Sequence, residues 1–440
     1  MTALFTQLPA VLVPFGWAYL LVTLLFNVFW WYQFVIAIGG FKRARRAPRA
    51  APRFRFAVIV PAHNEEQVVG YLVEELDSQD YPRDRFDVFV SCDNCTDRTA
   101  EVARERGARA LIRTDTTHAG KQWNLEWAFR QIPLRDYDAV VVFDADNIPE
   151  PDFLSSMNDF MAAHPEAEAI QGYLDSKNPD DSWVSRASAL AYWYTNRFFQ
   201  QARMPFGLSG QLGGTGAVIR IACLERIGWE PTSLADDLEF STKLILAGGR
   251  VYWNDHARVY DEKPVTYGAS HRQRSRWMRG HYSVLYRYGA RVLAAFFRTR
   301  RLQYLDLFLY LAAPARLAVT YFLIIVGLSV YVAWVALSGL ELSPGALLPG
   351  LSWAVIGIVL SAFNVVAGPS FRFDRFTLRY LPDAAIFYWF GLTLAPIVIV
   401  NAFRTREQGV WARTAHTRGL ALRDLRHRRT DAPTTPPEGR

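Results

Sequence analysis

The sequence predicts an α/β fold, a Rossmann-like and mostly parallel sheet, set between apolar segments long enough to span a bilayer. Three observations predict it. Short apolar runs alternate with helix-patterned segments from residue 55 to about 150. Each of those runs ends on a polar cluster. Long uncharged stretches lie towards the two ends of the chain.

The alternation begins at "FAVIVPAHNEE", where a strand over 56–60 breaks at Pro61 and a helix follows with Val68, Val69, Leu72, Val73 and Leu76 on one face. "FDVFVSCDNCTD" repeats the arrangement, with a strand over 86–91 and a helix over 99–106 closed by Gly107. "RALIR" is a third strand, over 109–113, and 120–131 a helix. "YDAVVVFDADNIP" carries a fourth strand, over 139–143, straight into two carboxylates. Continuous apolar strands that alternate with helices imply a parallel sheet covered on both faces. Ligands of such a sheet bind beyond the carboxyl ends of its strands, so "AHNEE", "CDNCTD" and "DADN" converge on one rim.

No residue from Met1 to Phe41 is charged, and 11–39 exceeds the length a crossing needs, about 20 apolar residues. It lacks a basic start and a small-residue cleavage site, which makes it an anchor rather than a signal peptide. Lys42-Arg43-Ala44-Arg45-Arg46 then places the next domain on the cytoplasmic side of the plasma membrane. Residues 317–339 and 347–368 are two further crossings, and 384–403, with Pro396 and Asn401, is a crossing or a re-entrant segment. The chain thus divides into a membrane helix (1–41), a cytoplasmic domain (42–301), a membrane region (302–403) and a basic tail (404–440). The net charge of +7 sits mostly in these flanks, which favours a lipid surface over nucleic acid. Cys92-x-x-Cys95 has no second ligand pair for zinc. No Gly-x-Gly-x-x-Gly follows a strand and no Gly-Lys-Ser/Thr loop exists, which disfavours a dinucleotide fold or a P-loop.

Asp144 and Asp146 stand two residues apart at a strand end, where both can lean to one face. Such a pair suits a hard cation, Mg²⁺ or Mn²⁺, although "DADN" is also a good turn sequence. No cationic residue adjoins them in sequence. In "LADDLEF" a helix over 237–247 is expected, with Asp236 and Glu239 spaced for a capping box. That leaves Asp237 without a local task, and a carboxylate on a first turn suits a general base. Lys121 at a helix start and His63 after Pro61 are each compatible with a solvated surface position or a site. "RQRSRWMRG" (272–280) is either a cytoplasmic anchor or a cationic site beside a tryptophan.

"VIVPAHNEE", "CDNCTD", "DAD", "ADDLE" and "QRSRW" together resemble, in order and spacing, the family 2 inverting glycosyltransferases of the GT-A fold, over about residues 55–281. The last motif is similar to that of the membrane-embedded members that make poly-N-acetylglucosamine, hyaluronan and cellulose. The resemblance implies that His63 and Glu65 contact the nucleoside, that Asp93 binds uracil, and that Lys121 approaches the diphosphate. It implies that Asp144 and Asp146 form the metal-binding pair, Asp146 foremost, and that Asp237 is the catalytic base. Arg276 would hold the diphosphate, with Gln273 and Trp277 on the acceptor sugar; Arg272, Arg274 and Arg279 then fall to the membrane face. Two departures stand out: Ala235 where the family has Thr before the acidic pair, and "QLGGTGAVIR" in place of the Phe/Cys-rich acceptor loop of cellulose synthases. The expected activity is inverting transfer from a UDP-sugar to a growing β-linked polysaccharide, poly-N-acetylglucosamine-like, with a homo-oligomer or an export subunit as possible partners. The alternatives are a single transfer to a lipid acceptor and a non-enzymatic nucleotide-sugar sensor.

Overall fold

The computed structural model describes residues 32–319 and 393–403, with positions 322, 329, 386, 390, 391 and 422. The expected crossings at 11–39, 317–339 and 347–368 and the tail 404–440 fall largely or wholly outside the described residues. Among those described, no helix is long and apolar enough to cross a membrane. Part of the fourth stretch, Leu394–Phe403, is helical.

One eight-stranded sheet organises the domain: β1 (Phe56–Ala62), β2 (Phe86–Asp93), β3 (Arg109–Arg113), β4 (Ala139–Val142), β5 (Ile148–Pro149), β6 (Ala169–Ser176), β7 (Ala217–Arg220) and β8 (Val251–Asp261), in the order β3-β2-β1-β4-β7-β6-β8-β5. β1 to β4 are the four strands expected, and they pair in parallel. Every residue of β1 and β4 is buried, as strands covered on both faces require. Val69, Leu72, Val73 and Leu76 of the helix Val69–Asp77 pack on one side, and Leu125 and Ala128 of the helix Lys121–Gln131 on the other.

The second half corrects the expectation of a mostly parallel sheet. β7 runs antiparallel to β4 and β6, and β5 antiparallel to β8; only β6 and β8 pair in parallel there. These strands are short or interrupted by Gly172 and a bulge, so no strand–helix alternation announces them. The mixed half matters because β8 brings a loop from a distant part of the chain to the rim that β1, β2 and β4 form.

The helix Tyr267–Thr299 carries "RQRSRWMRG" and runs unbroken for 33 residues, capped by the Thr266 hydroxyl. Its buried residues, among them Ser270, Arg274, His281, Val284, Tyr288, Val292 and Ala295, are spaced by three, four or seven positions, which gives one packed stripe. Against the stripe lie the helices Asp236–Leu246, Leu302–Leu311 and Leu394–Phe403. Gly280 is the point of closest approach, since a Cβ there would stand 2.6 Å from the Ala235 nitrogen. Gly280→Ala is therefore expected to destabilise the domain by about 1–3 kcal/mol, as overpacking does, and, on the activity the resemblance implies, to lower the rate by pushing Arg276 and Trp277 away from Asp237. Urea unfolding beside a rate measurement checks both. Helix Leu302–Leu311 is fixed from the other side by a buried ion pair, in which Arg203 Nε and Nη2 donate to Asp306 at 2.8 and 3.0 Å.

Candidate active site

The loops after β1 and β2 are tied together. His63 Nδ1 lies 2.6 Å from the Asp93 carbonyl, and the Glu65 amide donates to Thr99 Oγ1 at 2.8 Å. Asn64 and Asn94 adopt left-handed backbone conformations, φ 57° and 50°, where asparagine is tolerated. Asp93 is buried and already engaged, accepting from Arg113, from Asn94 Nδ2 at 2.9 Å and from the Gly120 amide at 3.2 Å. Arg113 also reaches Asp115 at 2.9 Å and the His118 carbonyl at 2.7 Å. Arg113 escaped the sequence reading. Its signal was the cation ending "RALIR", which β3 places in register with Asp93.

Gly120 turns into the next helix with φ 123°, open to glycine and unfavourable for residues with a Cβ. Lys121 follows, and its ammonium bonds Asp144 Oδ1 and the Gly214 carbonyl. No cation adjoins the acidic pair in sequence, but the fold brings Lys121 onto Asp144. The Asp144 amide donates to Asn147 Oδ1 and Thr215 Oγ1 at 3.0 and 3.1 Å, which fixes the turn. Asp146 is buried and accepts from the Glu262 amide at 3.0 Å. Just beyond β8, buried Lys263 sits 2.6 Å from Asp261 and 2.9 Å from the Tyr192 ring centroid. Burial drives the Lys263 ammonium down against the pull of Asp261, Asp146 and Asp175. Lys263 was also missed, because its strand was not assigned.

The capping box does not form. Ala235 occupies the cap position of the helix Asp236–Leu246 and contributes no side-chain bond. Glu239 instead turns inward, accepting from the Thr232 amide at 2.9 Å and the Tyr288 hydroxyl at 2.8 Å. Both aspartates are thereby left at the rim. Asp237 Oδ1 accepts from the Leu238 amide at 2.8 Å. A Cβ on Gly214 would lie 3.2 Å from Asp237 Oδ2 and 3.6 Å from the Lys121 ammonium, so the three meet at one point. Burial, then the charge of Asp236, pushes Asp237 up to about 7, opposed by Lys121 and Arg276. Burial also raises Asp236, against the same two cations. Lys121 loses by burial but ends above its ordinary value through Asp144, Asp236 and Asp237.

Arg276, Trp277 and Gln273 are half-buried on the helix Tyr267–Thr299. Arg276 acts electrostatically on Asp236 and Asp237. Trp277 and Asp237 line one cavity of about 330 Å³, with Tyr192, Phe199, Gln211 and Tyr310; Gln273 does not line it. Arg272 is exposed. Arg274 is corrected from a membrane-face residue to a packed one. It is buried, bonds Thr393 Oγ1 at 3.1 Å, and lies 4.1 Å from the Phe390 ring centroid. No cluster of three His, Cys, Asp or Glu residues able to hold a metal occurs among the described residues, so Asp144 and Asp146 offer at most part of a coordination shell.

The profile of the family described as "Glycosyltransferase like family 2" matches residues 52–280, just over half of the chain. A probable glycosyltransferase of Bacillus subtilis, YdaM, is 27% identical over 300 residues, 63% of this chain and 69% of that protein. The beta-monoglucosyldiacylglycerol synthase of Synechocystis sp. is 31% identical over 235 residues. That match takes in 52% of this chain and 48% of the synthase, so the chain spans about half of that relative's length. Among solved structures, a mannosyltransferase of Pyrobaculum calidifontis in complex with GDP-Man and Mn²⁺ has a similar fold, with a TM-score of 0.55 at 20% identity, covering 87% of this chain and 96% of that one.

Proposed function

Because the chain belongs to the glycosyltransferase like family 2, we propose that it moves a sugar from a UDP-sugar to an acceptor hydroxyl with inversion at the anomeric carbon, on the cytoplasmic side of the plasma membrane. The observation that carries this is the placement of Asp237 between the acceptor-sized cavity under Trp277 and the Lys121–Asp144 pair. In the reaction the acceptor oxygen attacks the anomeric carbon, Asp237 takes its proton, and the bond to the diphosphate breaks. Asp237 can do this near neutrality because its environment raises it to about 7, where a base best balances availability and strength. Arg276 makes no hydrogen bond to the described residues, which leaves its guanidinium to hold the departing diphosphate as a planar fork. Lys121 supplies a second positive charge beside the same carboxylates.

The acidic pair fits a divalent cation. Its donors are all oxygen, and a hard cation such as Mg²⁺ is commonly held by one or two carboxylates, with substrate phosphates completing its shell. Asp144 and Asp146 would hold it, and it would neutralise developing charge on the leaving group. The buried Asp146, pinned by the Glu262 amide, is the fixed member of the pair; Asp144 would exchange Lys121 for the ion. UDP release from UDP-glucose and UDP-N-acetylglucosamine is expected to stop in EDTA and to return with Mg²⁺ or Mn²⁺. Full turnover in the chelator would remove the metal from this reading, and no release from any nucleotide sugar would remove the reading itself.

For the acceptor, the aromatic lining of Tyr192, Phe199, Trp277 and Tyr310 favours the end of a β-linked glycan, since aromatic faces pack on the apolar face of a sugar ring. Similarity to a diacylglycerol-glucosylating synthase supports a second reading, a single transfer to a lipid. Radiolabel from the donor appearing in polymer or in the lipid fraction separates the two.

A further inference from the structure

Two aromatic residues that line the cavity beside Asp237, Phe199 and Tyr310, come from separate elements and meet with ring centroids 4.6 Å apart. Phe199 belongs to a π-helical turn, Asn196–Gln201, a form that gathers at functional sites. Tyr310 lies near the end of the helix Leu302–Leu311. Arg203 stands four residues after Phe199 and Asp306 four before Tyr310, so the ion pair and the ring pair join the same two elements about one helical turn apart. Arg203 is 1% exposed, and its donors are spread over three partners. Nε and Nη2 serve Asp306, Nη1 donates to the Phe199 carbonyl at 3.0 Å, and Nη2 also reaches Gln33 Oε1 at 3.2 Å. The guanidinium lies over the Phe199 ring, 3.6 Å from its centroid. From the N-terminal part of the chain, the Tyr32 hydroxyl donates to Asp306 Oδ1 at 3.0 Å. The same segment fits closely against the turn, since a Cβ on Gly40 would stand 2.6 Å from the Arg197 carbonyl oxygen.

We propose that Arg203 is a positioning residue for the acceptor wall: with Asp306 it sets how the π-helical turn meets the helix Leu302–Leu311, and thereby where Phe199 and Tyr310 stand beside Asp237. Tyr32 and Gln33 make the N-terminal segment a third member of this clamp. The proposal rests on the transferase reading above. A buried ion pair contributes little net stability compared with apolar side chains of similar volume, so folding alone gives weak reason for one here. What the pair adds is direction. Apolar packing is non-directional, whereas charge-assisted hydrogen bonds from a planar guanidinium fix distance and orientation together. The same cation sits on the ring that it positions, an attraction that depends on staying over the ring face. The helical residues 32–38 overlap the apolar stretch 11–39. Through Tyr32 and Gln33 that stretch is bonded to the pair behind the cavity wall, and not merely tethered to the domain by the chain.

The test uses the full chain in nanodiscs with labelled UDP-glucose and UDP-N-acetylglucosamine, Mn²⁺, and two acceptor probes, methyl β-glucopyranoside and 1,2-dioctanoylglycerol. Arg203→Lys keeps the charge beside Asp306 and loses the fork. It should raise the KM of whichever probe wild type labels by about 10- to 100-fold, the scale of a small misplacement within a site. UDP affinity and slow donor hydrolysis should stay unchanged, since neither uses the aromatic wall. Tyr32→Phe should move the same constant in the same direction by about threefold, the scale of one hydrogen bond. If Arg203→Lys does not fold, Arg203→Met combined with Asp306→Leu replaces the pair by apolar side chains, a change that is often neutral for stability, and the same rise in KM is expected. Unfolding midpoints accompany every rate. A folded Arg203→Lys or double variant with a wild-type acceptor KM overturns the proposal. So does a parallel loss of acceptor use, donor hydrolysis and UDP affinity in step with the folded fraction, which would leave the pair a structural one. A wild type that hydrolyses donor and labels neither probe overturns it as well. If no donor releases UDP in any arm, the transferase reading falls first and takes this one with it.

Discussion

Asp237→Asn should lower kcat by about 10²–10⁴-fold, the usual contribution of a general base, and leave UDP affinity close to wild type. The amide keeps the shape and can still accept from the Leu238 amide, so the loss reports the missing proton acceptor rather than a collapsed helix start. The pH profile carries the same information with a defined sign. A base works deprotonated, so kcat/KM should climb as pH rises through about 7, the value to which burial and Asp236 push Asp237, and should fall about tenfold per unit well below it. Asp236→Asn removes the like charge and should move the limb to lower pH. Lys121→Met removes an opposing cation and should move it to higher pH. Rates and UDP binding across pH 5–9 for the three variants settle the assignment. If Asp236→Asn abolishes transfer while Asp237→Asn retains most of it, the two carboxylates have the opposite roles.

How far the sequence alone led is clearest at the same pair. The first four strands were legible because each is a short run, apolar and buried on both faces in β1 and β4, with β3 a partly exposed edge strand, and their parallel pairing followed from the alternation with helices. The capping box was equally legible and did not form. Its spacing was right, but Glu239 gains more by turning into the core, where Tyr288 and Thr232 supply donors; a tertiary partner outcompeted a local one. Lys121 on Asp144 and Lys263 beside Asp261 were invisible for a related reason. Each contact joins a residue to a strand end that lies elsewhere in the chain or, for β8, in a strand with no clear periodic signature. Arg274 shows the limit of charge counting. Four arginines around one tryptophan read alike in sequence, yet the 3.6-residue repeat of the helix sends only Arg274 into the packed stripe while Arg272 faces out.

That separation sets up the second large effect. Arg276→Lys is expected to reduce transfer by roughly 10- to 100-fold although the charge is kept, because a hydrogen bond to a charged group is worth about 1.5–3 kcal/mol and an ammonium cannot reproduce the planar two-pronged grip on phosphate oxygens. Arg272→Lys should be nearly silent, since an exposed cation on a long stem serves equally well. Arg274→Lys should cost stability rather than chemistry, through lost packing on Phe390 and the bond to Thr393. Trp277→Ala should raise the acceptor KM far more than it weakens UDP binding, because Trp277 lines the cavity beside Asp237, whereas the proposed nucleotide contacts, His63 and Asp93, are not among the residues that line it. UDP affinity, transfer rate and unfolding midpoint, measured for all four variants in nanodiscs, give three independent readouts. Equal tolerance of lysine at 272 and 276 would leave "RQRSRWMRG" as a packed and anchoring helix alone, and the diphosphate would then have to be held by Lys121 and the metal pair without it.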